Sequence, residues 1–114
     1  MDGRTQLPVI KYLMDYFGTA YVDSVTEPGP ILFLAEKQQS PQTESILQRV
    51  DISINKHKSC GIGIVAHYNC AGNPVEKETQ LKQLAISIDF IKTKYPNTKV
   101  IGLWADEKFS VTQI

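Results

Sequence analysis

The chain has 114 residues, of which 42% are apolar and 21% charged, and its twelve basic residues balance its twelve acidic ones. This length suits one domain, spanning 1–114, with a single core, and the ordinary composition excludes a disordered chain. Zero net charge gives no electrostatic reason to bind nucleic acid or an anionic membrane. No run approaches the roughly 20 apolar residues of a membrane span, and two cysteines cannot make a disulfide framework. We therefore expect a cytoplasmic protein with reduced thiols.

Helical and extended patterns alternate along the chain, which predicts an α/β fold with three layers and a mostly parallel β-sheet flanked by helices. The predicted elements are a helix over 7–17, a strand over 21–25, a helix from Ser40-Pro41, a strand over 61–66, a long helix from Asn73, a strand over 99–104 and an edge strand within 109–114. The run from Glu27 to Pro30 is typical of a break between elements. An α/β unit normally opens on a strand, so either this domain is unusual or its first strand lies ahead of Met1.

The long helix is predicted from its start signal and its apolar face. Asn73 suits the N-cap, Pro74 the first helical position and Glu76 the third, a variant of the capping box. The face toward the core is predicted to carry five apolar residues: Leu81, Leu84, Ala85, Ile88 and Ile91.

The glycines of the strand over 61–66 also match a relaxed dinucleotide-binding pattern. That pattern needs a turn that opens a helix. Here it lies inside a predicted strand, so Gly61 and Gly63 are interpreted as packing positions.

The segment His67-Tyr68-Asn69-Cys70 follows a predicted buried strand and leads toward a helix. In open parallel sheets, ligands bind just outside the carboxyl ends of the strands. An imidazole and a thiolate three residues apart at such a turn can reach one metal ion, and this donor pair suits zinc. The N-terminus of the nearby helix favours the thiolate form of Cys70. Because zinc normally takes three or four protein ligands, the pair alone leaves chance proximity open.

A second signal is Asp2-Gly3-Arg4, ahead of the first helix. Opposite charges two residues apart can pair, and an arginine can hold a carboxylate in a fixed orientation. Taken alone, the segment is more typical of a solvated, frayed N-terminus than of a site.

Together these segments resemble the β-class carbonic anhydrases. That family carries Cys-x-Asp-x-Arg at the end of its first core strand and His-x-x-Cys at the end of a later buried strand. The chain has Asp2-Gly3-Arg4 and then His67 to Cys70 in the same order, and the resemblance spans nearly its whole length. It is similar to a short, divergent branch in which Asp-Gly-Arg-x-Gln-x-Pro and Thr-Glu-Pro-Gly-Pro are familiar strings, here Asp2 to Pro8 and Thr26 to Pro30.

The resemblance implies a role for each matching residue. His67 and Cys70 would be zinc ligands, and Arg4 would pair with Asp2. Asp2 would be the catalytic carboxylate beside the metal, or a further ligand in a closed state. The family's first cysteine, with the strand that carries it, would fall directly ahead of Met1. Cys60 cannot replace it, because the strand separates Cys60 from His67 by about 23 Å, and it is expected to be a small buried thiol.

The implied activity is the reversible hydration of carbon dioxide to bicarbonate by zinc-bound hydroxide, in a homodimer. Two alternatives stay open. One is an inactive scaffold of the same fold with an incomplete metal site. The other is a module that holds a small anion at the N-terminus of the helix after Asn73. The better-known members place Arg-Asn-Ala-Gly, which helps form the substrate pocket, where this chain has Glu27 to Pro30. The substrate therefore stays open as well.

Overall fold

All residues, 1–114, are described by a computed structural model. The elements in chain order are α1 (Gly3–Phe17), α2 (Pro30–Glu36), α3 (Pro41–Asp51), a π-helical turn (Ile52–Lys56), β1 (Gly61–His67), α4 (Lys77–Lys94), β2 (Lys99–Ala105) and β3 (Val111–Gln113). None of these helices combines the length and the apolar character needed to cross a membrane.

The sheet has the order β1-β2-β3 and is mixed. β1 and β2 run parallel, in register from Gly61 opposite Lys99 to His67 opposite Ala105. β3 returns antiparallel to β2. The predicted mostly parallel sheet is therefore wrong. The edge strand predicted in the C-terminal tail exists, but it follows β2 after a short turn, and a turn of that length joins only antiparallel neighbours.

The strand predicted over 21–25 is also wrong, since residues 21–27 have no regular secondary structure. A strand is defined by a partner, and no strand pairs with this apolar segment. The break that was predicted after it contains the start of α2, which sequence reasoning missed. Gly29 takes a left-handed conformation (φ 55°) as N-cap, and Pro30 occupies the first helical position, where its missing N–H costs nothing.

The start of α3 agrees with prediction, whereas the starts of α1 and α4 differ from it. α1 begins at Gly3 because the Asp2 carboxylate accepts the Arg4 backbone N–H at 2.9 Å, which places Pro8 in the second turn. α3 begins as predicted, with Ser40 Oγ accepting the Thr43 N–H at 3.2 Å. α4 begins at Lys77 with Glu76 as N-cap, later than predicted.

Helices lie on both faces of the sheet, and glycines mark where they come closest. A Cβ on Gly61 or Gly63 would meet Phe17 or Leu13 of α1, whereas one on Gly102 would meet Ile88 of α4 at 2.6 Å. The packing interpretation of Gly61 and Gly63 is thus confirmed. The main core lies on the α4 face and contains Ile31, Leu34, Ile46, Val50, Ile64, Ala66, Leu84, Ile91, Tyr95, Val100 and Trp104.

The buried face of α4 is more polar than predicted. Leu84 and Ile91 are buried as expected, but Ala85 is exposed. Three polar residues of α4 are buried instead, namely Gln80, Gln83 and Ser87. Each makes a hydrogen bond to another element, to the His67 carbonyl, to Asn73 and to the Ile31 carbonyl respectively. A buried polar group is tolerated when it is paired in this way.

Candidate metal centre

His67 is the last residue of β1 and is buried, with 8% of its surface exposed. The sheet ladder continues one residue further, since the Tyr68 N–H donates to the Ala105 carbonyl at 2.9 Å. From α4, the Gln80 side-chain amide donates to the His67 carbonyl at 2.9 Å. The backbone at this corner is therefore held by a strand on one side and a buried glutamine on the other.

The imidazole of His67 has one ring nitrogen committed. Its Nδ1 lies 2.8 Å from the Tyr68 carbonyl oxygen, which can only accept, so Nδ1 carries the proton. In the neutral ring, Nε2 then has a free lone pair. Metal-ligating histidines are commonly fixed by a bond of this kind from the other nitrogen to a carbonyl.

Cys70 follows a turn in which Asn69 has a left-handed backbone (φ 55°), and it is buried, with 7% exposed. The turn is held from behind, because the Asn73 N–H donates to the Cys70 carbonyl at 3.4 Å and the Asn73 side chain donates to Gln83 at 2.6 Å. Cys60, by contrast, is exposed, so the prediction of a buried thiol there is wrong.

The start of α4 lies too far along the chain to serve the roles predicted for it. The prediction that Asn73 caps this helix close to Cys70 is wrong, because the helix begins at Lys77. Its N-terminus already carries two carboxylates, on Glu76 and Glu78. The arrangement does not favour a small anion there, because negative side chains already occupy the positive end of the helix dipole.

Asp2 and Arg4 form a bidentate pair at the start of α1. Arg4 Nε lies 3.0 Å from Asp2 Oδ1, and Arg4 Nη2 lies 2.6 Å from Asp2 Oδ2. The side-chain hydrogen bonds from Arg4, together with its backbone N–H, hold the pKa of the Asp2 carboxyl well below its usual range. His67 lies close enough to Asp2 that its imidazole, when protonated, would lower that pKa slightly further.

Two contacts beyond Asp2 hold Arg4 beside the turn after β1. Its Nη2 donates to the Asn69 carbonyl at 3.4 Å. Its guanidinium carbon lies 4.7 Å from the centre of the Phe109 ring, in the turn between β2 and β3. The structure thus places Arg4 against the turn that connects His67 to Cys70, although the two segments are more than sixty residues apart in the chain.

The donor types suit zinc, but their number is too small. His67 and Cys70 offer an imidazole nitrogen and a thiol sulfur, which zinc prefers. No group of three histidine, cysteine, aspartate or glutamate side chains is arranged to hold a metal ion. Catalytic zinc sites take three protein ligands. Residues 1–114 provide only two such donors, together with a nearby ionised carboxylate.

Sequence reasoning missed three residues that shape this site: Asn69 through its carbonyl, Gln80 and Phe109. Nothing in the sequence marked Phe109, because its role depends on the turn that brings it to Arg4. Gln80 is a polar residue within a helix, and such side chains normally face solvent. The left-handed residue Asn69 was the most accessible signal, since asparagine is enriched in that conformation.

Comparison with known proteins gives one match. Neither a curated protein nor a solved structure matches the chain. A family model described as "Putative carbonic anhydrase" matches residues 1–114, the whole of the sequence. The chain that carries these two motifs therefore belongs to this carbonic-anhydrase-like family.

Proposed function

We propose that residues 1–114 form one domain of a zinc-dependent carbonic anhydrase of the β-class type. In it, zinc would be held by His67, Cys70 and a thiolate in the position directly ahead of Met1. The observation that supports this most is the arrangement of His67, whose Nδ1 donates to a carbonyl and whose Nε2 keeps its lone pair. The substrates would be carbon dioxide and bicarbonate. The enzyme would be a cytoplasmic homodimer.

Zinc supplies, when bound, the acidity that makes a water molecule nucleophilic near neutral pH. The chain's own residues have the remaining tasks. Asp2 stays ionised across the physiological range, because Arg4 lowers its pKa. An ionised carboxylate only accepts hydrogen bonds, so Asp2 can orient the hydrogen of an attacking water or hydroxide. Arg4 keeps that carboxylate in place through two parallel hydrogen bonds.

The second candidate is an inactive scaffold of the same fold. It is favoured by the absence of a three-donor group among residues 1–114. Two ligands hold zinc far less tightly than three or four, so this form would carry little metal. The two candidates differ in zinc content and in hydration of carbon dioxide, and both can be measured on the same samples.

The test compares three proteins: the chain itself, the chain with one cysteine placed directly ahead of Met1, and a matched version with serine there. Zinc per chain is measured by elemental analysis, and hydration of carbon dioxide by stopped flow. We expect about one zinc per chain only in the cysteine version, following the three-ligand rule, together with hydration activity. In that version, Cys70→Ser should remove the zinc, whereas Cys60→Ser should not.

The outcomes separate the candidates. Zinc without hydration activity in the cysteine version would favour the inactive scaffold. No zinc in any version would contradict metal binding at His67 and Cys70. Sedimentation velocity on the zinc-loaded form tests the homodimer, which a monomer at all concentrations would contradict.

A further inference from the structure

Three buried polar side chains lie along one face of α4. Gln80, Gln83 and Ser87 are spaced by three and then four residues, which places them in one row on the helix. They are 2%, 4% and 0% exposed, so water competes little for their hydrogen bonds. We call these three residues the polar row. Because a helix face turned to the core normally carries apolar residues, the partners of the polar row must explain it.

Gln80 holds the last residue of β1 through the backbone. In β1, Gly61 and Gly63 face α1, and His67 shares their face because alternate residues of a strand point the same way. α4 packs on the opposite face of the sheet. From there, Gln80 Nε2 donates to the His67 carbonyl at 2.9 Å. The N–H of the same peptide unit, which belongs to Tyr68, donates to β2, so this peptide unit is held at both ends.

Gln83 holds the other end of the same segment. We call residues 67–73 the ligand turn. Gln83 Oε1 accepts from the Asn73 side-chain amide at 2.6 Å, and both residues are buried. The Asn73 backbone N–H donates in turn to the Cys70 carbonyl at 3.4 Å. Gln80 and Gln83 are separated by about 4.5 Å along the helix axis, so less than one turn of α4 holds the ligand turn at its first and last residues.

We propose that Gln80 and Gln83 are positioning residues of the metal centre, which hold His67 and Cys70 in one arrangement before any metal binds. The inference rests on the proposed function for the role of the metal, whereas the ligand turn itself can be measured without metal. Stability alone does not explain the Asn73–Gln83 pair, because apolar groups of the same shape can replace such a pair at little cost. Apolar groups lack the directional bonds that fix how a backbone lies.

The test compares three variants in a Cys60→Ser background, in which Cys70 is the sole thiol. Gln80→Met and Gln83→Met keep a long, unbranched side chain that favours helix but lose the hydrogen bond. Ser87→Ala is the matched control, since it removes a hydrogen bond of the polar row that ends on α2, away from the ligand turn. Each variant loses one buried hydrogen bond, so a general loss of stability should affect all three.

Two measurements need no metal. The first is the rate at which Cys70 reacts with a soluble aromatic disulfide, which depends on how often the buried thiol becomes accessible. The second is the exchange with water of the His67 Nδ1 proton, followed by NMR, which the bond to the Tyr68 carbonyl slows. We expect Gln83→Met to speed the first and Gln80→Met the second by about tenfold. Ser87→Ala should leave both rates unchanged.

Gln83→Glu should restore the parent behaviour. A carboxyl group accepts a hydrogen bond from the Asn73 amide whether or not it is ionised, so Cys70 should react as slowly as in the parent. Zinc affinity is then measured by titration in the version that carries a cysteine ahead of Met1. There, Gln80→Met and Gln83→Met should each weaken zinc binding by about tenfold, as is usual when a group that supports a ligand is lost. Ser87→Ala should bind zinc as the parent does.

Three results would overturn the proposal. One is parent values of both metal-free rates in the two methionine variants. Another is an equal rise in Ser87→Ala, since loss of stability alone would then explain the effect. The third is a change in these rates without a change in zinc affinity, because the glutamines would then hold the turn without positioning its ligands.

The proposed function fails separately. Absence of zinc from every version contradicts it, and the metal-free rates still decide whether the two glutamines hold the ligand turn. If Gln80→Met does not fold, Gln83→Met leaves the His67 carbonyl paired and is tested through Cys70 alone. An unchanged reaction rate of Cys70 in that variant overturns the proposal as well.

Discussion

Phe109 adopts a backbone conformation that bulky residues rarely take, with φ at 56°. The turn around it is held by Asp106, whose carboxylate accepts the N–H groups of Lys108 and Ser110 at 2.9 and 3.0 Å. Strained residues persist where their surroundings hold them, and they cluster at functional sites. Here the result of the strain is a ring laid against Arg4. Phe109 therefore acts as a positioning residue for the Asp2–Arg4 pair.

Replacing Phe109 should release Arg4. In Phe109→Leu, the ring current on the Arg4 side chain is lost and the guanidinium loses a favourable cation–π contact. We expect the Arg4 Nε–Hε NMR signal to move toward its random-coil position and to exchange faster with water. Phe109→Trp keeps an aromatic face and should restore a shifted, slowly exchanging signal. An unchanged signal in Phe109→Leu would show that Asp2 alone positions Arg4.

Asp2 has two separable roles, as N-cap of α1 and as partner of Arg4. Asp2→Asn should preserve the cap, whereas Asp2→Ala should lose it and destabilise the protein by about 1 kcal/mol. Because the pKa of Asp2 is lowered in the fold, its ionised form stabilises the protein above the ordinary carboxyl pKa of about 3.9. That contribution is lost as the pH falls below this value. Urea denaturation should show that wild type has a higher free energy of unfolding than Asp2→Asn at pH 7. The two free energies should become equal once Asp2 is protonated.

At the scale of elements, the loop before α2 touches the loop after Cys70 backbone to backbone. A Cβ on Gly72 would lie 2.6 Å from the Pro28 carbonyl carbon, and one on Gly29 would lie 2.7 Å from the Gly72 backbone. Two of the three segments that suggested the family, around Thr26–Pro30 and His67–Gly72, therefore meet in space. Their glycines are explained by this contact.

Gly72→Ala should push the two loops apart. Overpacking of this kind costs about 1–3 kcal/mol, and the shift should displace Cys70 and weaken zinc binding in the version that carries a cysteine ahead of Met1. Gly3→Ala is the matched control, since nothing lies within 4 Å of a Cβ there and alanine favours helix. Thermal unfolding and zinc titration of both variants measure the effect. Equal behaviour of the two would contradict the loop contact.

Tyr95 joins the end of α4 to α3. It is buried, and its hydroxyl lies 2.5 Å from Asp51 Oδ1 and 3.4 Å from the Leu47 carbonyl. Tyr95→Phe should lower the free energy of unfolding at pH 7 by about 1 kcal/mol, the usual net value of one hydrogen bond.

The size of that loss should depend on pH. Burial, and then the hydrogen bond to the Asp51 carboxylate, raise the pKa of Tyr95. A raised pKa gives stability that is complete below the unfolded pKa of about 10 and is lost as the pH rises through the folded value. The gap between wild type and Tyr95→Phe should therefore narrow above pH 10, as followed by chemical denaturation. A constant gap would show that Tyr95 ionises equally in both states.

Elements with a strong local signal were predicted well. Ser40-Pro41 gave the start of α3, and the apolar runs from Gly61 and Lys99 gave β1 and β2. Predictions failed where the outcome depends on a neighbour. Residues 21–25 have a strand-like composition but no strand to pair with. The start of α2 depends on Gly29, which adopts a left-handed conformation. Gly29 can lie this close to Gly72 because Gly72 has no side chain.

At the scale of the whole molecule, stability is expected to be uneven. β2 lies between two strands, with every residue from Val100 to Ala105 buried. Residues 22–25 lack backbone hydrogen bonds altogether. Amide exchange in residues 22–25 should be close to that of an unfolded chain, and exchange in β2 should be among the slowest. Slow exchange in residues 22–25 would indicate that another segment already pairs with them.

For the site, the sequence could not predict which distant segments of the chain would lie next to each other. The two motifs indicated which side chains to examine, because their residue types suit one metal ion. That Arg4 would contact the Asn69 carbonyl depends on α1 lying across β1. The shortfall to two donors was already predicted, because the family's first cysteine falls ahead of Met1 and Cys60 lies at the far end of the strand from His67. The fold brings no further histidine, cysteine, aspartate or glutamate into a group of three.

The π-helical turn at Ile52–Lys56 has a consequence for how the chain tolerates deletions. A π turn holds one residue more than an α turn, and in an α-helix each residue advances the side chains by about 100°. Removing one residue here would restore regular helix and rotate the following side chain, His57, away from Asp23, which it now meets at 2.7 Å. The surplus residue therefore acts as a spacer that keeps residues 21–27 fastened beside the sheet. Homologues that lack it should carry a different fastening at the position of Asp23.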